Sequence, residues 1–111
     1  MSDKSFVNIR RVTGYVPDLM DQSRLTASGL EVIFVKELKA LVDVDTDLVV
    51  VDLSRPGVID VLKTIDSPLV GFSSHVDEEI IDKALEAGCD QVFTRSRFFR
   101  FFQSLASDSD H

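Results

Sequence analysis

Four places in this sequence put a reactive side chain at the end of a short apolar run. Asp18 follows Ile9–Val16, Asp52 closes Leu48–Val51, Ser73 and Ser74 follow Leu69–Phe72, and Arg95 follows Gln91–Phe93 and Thr94. Two carboxylates, a hydroxyl and a cation converging at one edge are what an aspartyl-phosphate site needs. The acceptor carboxylate attacks phosphorus. A divalent cation held by nearby carboxylates neutralises the phosphoryl oxygens, and a hydroxyl and a cationic side chain donate hydrogen bonds to the product.

Such convergence requires the runs to be strands of one sheet. Leu48–Val51 is unbroken and rich in β-branched residues, and Pro56-Gly57 turns the chain soon after it. That pattern predicts a strand buried on both faces. Ile9–Val16, Leu30–Val35, Leu69–Phe72 and Gln91–Phe93 predict four more strands. Helical patterns fall between them. Asp18–Ser28 is short and ends at Gly29, and Glu37–Val42 puts Leu38, Leu41 and Val42 on one face. Gly57–Ile65 places Val58, Val61, Leu62 and Ile65 at helical spacing. Asp77–Ala87 starts at a capping Asp77, carries Ile80, Ile81, Ala84 and Leu85 on its stripe, and stops at Gly88. Ser96 is the predicted N-cap of a last helix, Arg97–Ala106. Five β-α units in a row predict a three-layer α/β/α domain, a doubly wound, flavodoxin-like fold on a five-stranded parallel sheet. In that architecture the carboxyl ends of the strands form the ligand crevice.

The bulk composition narrows the function classes. At 111 residues the chain suits a single domain, residues 1–111, with 1–8 and 107–111 expected to fray. A net charge of −7 argues against a nucleic-acid surface. The longest apolar run is too short for a bilayer, no signal segment is visible, and the single cysteine, Cys89, points to a reducing cytoplasm. His75, His111 and Cys89 do not make a transition-metal cluster, and His75 reads as a structural loop histidine.

On three segments the chain resembles a response-regulator receiver domain. They are TDLVVVDLSRPG for the central strand and its loop, SPLVGFSS for the fourth strand, and EEIIDKALEAGCDQVFTRS for the fourth helix and fifth strand. Within the last, EAGCDQVF is similar to the family's Ala-Gly-Ala turn, and the spacing from Asp52 to Pro56 matches the family's acceptor-to-proline spacing. The resemblance spans Arg11 to Ala106. It implies that Asp52 is the phospho-acceptor and that Asp18, with Asp52, contributes to a Mg²⁺ site. It also implies that Ser73 is the hydroxyl and Arg95 the cation that meet the phosphoryl group.

Several positions depart from the family pattern. Pro17 stands where the second metal acid would be, Arg95 replaces a lysine, Ser96 replaces the proline after it, and Val92 takes the place of the switch aromatic. Losing a carboxylate weakens a site for a cation that has few protein ligands and sheds water reluctantly. Arginine is a planar fork rather than a compact ammonium. Arg95 could therefore pair with Asp52 directly and occupy the phosphoryl position. These features imply a stand-alone pseudo-receiver, not an enzyme, whose phosphorylation is lost or vestigial. The alternative is a working two-component receiver phosphorylated on Asp52 with Mg²⁺.

The last helix carries a second candidate site. Phe98, Phe101, Phe102 and Leu105 lie on its sheet-facing stripe, with Phe99 off it. These aromatics either fill a bulky core or leave an interaction surface of Arg95, Arg97, Phe99, Arg100 and Phe102, flanked by the fourth helix and fifth strand. Its occupant would be a protein partner or a second copy, neither nucleic acid nor membrane. A flavin or nucleotide module is disfavoured, because GYVPDLM offers only Gly14 for a phosphate loop. No general base–nucleophile pair stands out for an external substrate.

Overall fold

Leu48–Asp52 forms the middle strand of a five-stranded parallel sheet, with every residue buried. A computed structural model describes residues 8–74 and 77–109. His75 falls outside them. The elements in chain order are β1 (Arg11–Tyr15), α1 (Leu19–Thr26), β2 (Glu31–Phe34), a 3₁₀ turn (Leu38–Leu41), β3 (Leu48–Asp52) and α2 (Val58–Leu62). β4 (Leu69–Ser73), α3 (Glu78–Glu86), β5 (Gln91–Thr94) and α4 (Arg95–Ser109) follow. The strand order is β2-β1-β3-β4-β5. The order reverses between β1 and β3, so the crevice at the topological switch point opens beyond Tyr15 and Asp52.

Strand alternation divides the core in two. Val12, Leu48, Val50, Val70 and Phe72 face α1 and α4, where Leu25, Phe98, Phe99 and Phe102 complete one cluster. Val49, Val51 and Leu69 face the 3₁₀ turn, α2 and α3, where Leu41, Leu62 and Ala84 complete the other. Because both faces of β3 are covered, its sequence reads as a continuous apolar run and not as an alternation. This is the predicted doubly wound, flavodoxin-like α/β fold.

Local differences have local causes. The predicted helix Glu37–Val42 shrinks to a single 3₁₀ turn, because Val42 is already extended and Asp43 sits at φ 62°. α2 covers only Val58–Leu62 and starts from Gly57, whose φ of 81° suits glycine. α4 begins at Arg95, directly after β5. Thr94 Oγ1, not Ser96, accepts from the Arg97 N–H at 3.4 Å. On α3, Leu85 is exposed, so the buried side rests on Ala84 with Ile80 and Ile81 half-buried.

Candidate functional site

The carboxyl edge of the sheet brings the predicted site residues to one side of the molecule, with different partners from those expected. Asp52 ends β3 and is only 1% exposed. Its carboxylate meets its own loop. Oδ1 accepts from the Ser54 N–H at 3.0 Å and from the Ser54 hydroxyl at 2.6 Å. Oδ2 lies 3.5 Å from Arg55 Nε. A carboxylate that accepts from the backbone two residues on is an Asx turn, which Asp-Leu-Ser can form unaided. The contact to Arg55 offsets part of the cost of burying the charge. Neither Ser54 nor Arg55 was singled out from the sequence. The serine two residues after Asp52 was the available signal.

Arg95 does not pair with Asp52. Its Nη2 reaches Asp21 Oδ2 at 3.1 Å. The reason is the geometry of two helix starts. Asp21 lies in the first turn of α1, four residues before Leu25, on the one face of α1 that is buried. Arg95 opens α4, packed on the same side of the sheet, and its guanidinium carbon stands 5.9 Å from the centre of the Phe72 ring. Phe72 is the register partner of Asp52. Arg95 thus lies above the strand neighbour of Asp52 and turns to α1 for its counter-charge. Asp21 was not predicted; only its position on the stripe of Leu25 marked it.

Asp18 is the N-cap of α1. Its Oδ1 accepts from the N–H groups of Met20 at 2.8 Å and Asp21 at 3.1 Å. Ser73 is buried at the end of β4, in register with Thr94. Among the described residues no group of three or more His, Cys, Asp and Glu side chains is placed to hold a metal ion. Of the two carboxylates that the resemblance assigns to Mg²⁺, Asp18 uses Oδ1 to cap α1, and Asp52 accepts from Ser54 through Oδ1 and faces Arg55 Nε through Oδ2. Val92 is half-buried against the α2–α3 cluster.

The aromatic part of the expected interaction surface is core. Phe99 and Phe102 are 4% and 1% exposed. Phe98 stacks on Phe72 with ring centres 4.5 Å apart, and Phe99 meets Phe98 edge-on at 5.1 Å. The guanidinium of Arg24 covers the outer face of Phe99 at 3.8 Å. Phe99 lies off the sheet-facing stripe, yet α1 packs against that side of α4 and buries it. Arg97 and Arg100 remain exposed.

This architecture is that of receiver domains. The chain superposes on a response regulator from Hahella chejuensis with a TM-score of 0.75, at 16% identity, over 88% of this chain and 92% of that one. The phosphorylated cyanobacterial phytochrome response regulator RcpA gives 0.73 at 16% identity, over 87% and 91%. An orphan response regulator of H. pylori gives 0.66 at 17% identity, over 94% and 96%. No protein-family model and no curated protein matches the sequence. The chain has the response-regulator receiver fold. No helix among the described residues is long and apolar enough to cross a membrane.

Proposed function

We propose that this chain is a cytoplasmic receiver-like signalling module that acts by binding a protein partner or a second copy of itself, with aspartyl phosphorylation lost or vestigial. The engagement of Asp52 by its own loop carries this reading. Oδ1 of this buried carboxylate already accepts twice from Ser54 and Oδ2 faces Arg55 Nε at 3.5 Å, so an incoming phosphoryl group competes with contacts the loop itself supplies. The cation of the receiver pattern supports it too, because Arg95 pairs with Asp21 on α1 and not with Asp52. The surface left for a partner is the α3–β5–α4 side, reduced to Arg95, Arg97 and Arg100 now that Phe99 and Phe102 belong to the core.

The test is chemical. The protein is incubated with a small phosphodonor such as acetyl phosphate and Mg²⁺, and its intact mass is measured. An unchanged mass is expected. A gain of one phosphoryl group that disappears in Asp52→Asn would overturn the proposal in favour of a working two-component receiver.

A further inference from the structure

A cleft of about 510 Å³ opens where α1 approaches the start of α4, lined by Arg24, Ser74, Thr94, Arg95, Ser96 and Arg100. Three arginines, two serines and a threonine line it, with no acidic residue among the six. On a chain with nineteen acidic and twelve basic residues, that composition runs against the average of the surface. Two of the guanidiniums are held in place. The guanidinium carbon of Arg24 stands over the Phe99 ring at 3.8 Å, and Arg95 is tied to Asp21 at 3.1 Å. Arg95 Nε is buried with no hydrogen-bond acceptor, so its donor capacity is not used up by Asp21. Arg100 is exposed one turn along α4. Thr94 Oγ1 accepts from the Arg97 N–H, which leaves its own hydroxyl proton to donate.

We propose that this cleft binds the phosphate group of a small ligand. Forked guanidiniums match phosphate oxygens in geometry and charge, and hydroxyls fill the remaining acceptor positions. Fixed guanidiniums lose less freedom on binding than free ones. The first N–H groups of the fifteen-residue helix α4 add a favourable partial charge on the same side. The site is separate from Asp52, whose carboxylate does not line it. It shares Arg95 and Arg100 with the proposed partner surface but does not depend on that reading, since it is measured on the chain alone.

The ¹⁵N-labelled protein is titrated with inorganic phosphate and, separately, with adenosine monophosphate, at constant ionic strength, and amide shifts are followed. Saturable shifts at Ser74 and across Thr94–Arg97 are expected. Arg100→Gln and Arg24→Gln should each weaken binding by about tenfold, the range for a lost charge-assisted hydrogen bond. Arg97→Gln removes the same charge from an exposed neighbour outside the cleft and should change affinity by less than about twofold. Tighter binding of the monophosphate assigns the ligand as a phosphate ester, and equal binding assigns it as free phosphate. Shifts that rise linearly without saturation, or an Arg97→Gln loss as large as that of Arg100→Gln, overturn the proposal.

Discussion

The guanidinium of Arg95 reaches the carboxylate of Asp21 at 3.1 Å, joining the first residue of α4 to the first turn of α1 across the top of Phe72. The pair is asymmetric, because the Asp21 side chain is 7% exposed and that of Arg95 35%. Removing the arginine strands a buried carboxylate, whereas removing the carboxylate leaves a cation that can still reach water. Arg95→Met should therefore destabilise more than Asp21→Asn. Breaking a fully buried pair costs about 3–5 kcal/mol, and partial exposure of Arg95 lowers the expectation to about 2–3 kcal/mol for Arg95→Met and about 1 kcal/mol for Asp21→Asn. Urea unfolding of both single variants and the double variant measures this. Equal costs would contradict the asymmetry, and a double variant equal to the sum of the singles would show that the pair is not coupled.

The shortest contact to Asp52 comes from the Ser54 hydroxyl at 2.6 Å. Ser54→Ala removes it while leaving the backbone N–H of residue 54 on Oδ1. A charge-assisted hydrogen bond is worth about 1.5–3 kcal/mol when buried, and the exposure of Ser54 lowers the expectation to about 1–1.5 kcal/mol. The variant should lose stability in that range, measured as a shift of the urea midpoint at unchanged m-value. A stability equal to the parent would mean that water replaces the hydroxyl and that Asp52 is more open than the structure shows.

What could be read in advance follows a physical division. Leu48–Asp52 was legible because a strand buried on both faces has to be apolar at consecutive positions. Asp77 was legible because a helix cap is a local arrangement, and its carboxylate does accept from Ile80 N–H at 2.9 Å. Asp21, Ser54 and Arg55 were not. Their roles depend on which charge lies opposite in space, and spacing along one helix or loop does not carry that. Phe99 shows the same limit. The stripe of α4 was judged against the sheet alone, but α1 packs on its flank, and Arg24 closes over the ring.

Gly71 sits in the middle of β4 under Leu53, the residue that follows Asp52. A Cβ built on Gly71 would lie 2.8 Å from Leu53 Cγ, Cδ1 and Cδ2. Leu53 is buried, and its N–H donates to Phe72 O at 2.7 Å, so it has little room to retreat. Gly71→Ala should cost about 1–3 kcal/mol as an overpacked core position. Adding Leu53→Ala should return part of that loss, since the smaller side chain vacates the space the new methyl takes. Thermal unfolding of the two single variants and the double variant checks the sign. If Leu53→Ala destabilises the Gly71→Ala protein by as much as it does the parent, the clash is not what limits this position.

Asp47 fastens the entry of β3 to the start of β1. Its Oδ2 accepts from the N–H groups of Arg10 and Arg11, each at 3.0 Å. The bond from Arg11 and then that from Arg10 hold the Asp47 carboxyl below its ordinary value of 3.8, against a smaller opposing effect of burial. A depressed folded-state pKa means that the unfolded chain takes up the proton first as pH falls. The stabilisation is therefore fully present above the unfolded value and is lost as pH drops through the lower folded value. From neutral pH down to about 5 the contribution of Asp47 should stay constant, and below about 4, where an unfolded aspartate protonates, it should fade. Asp47→Asn should accordingly be less stable than the parent at neutral pH, with the gap closing in the acid range. The titration of the Asp47 carboxyl carbon, followed by NMR, gives the direct reading. A midpoint at or above 3.8 would contradict the two backbone bonds, and so would a stability gap between parent and Asp47→Asn that does not change with pH.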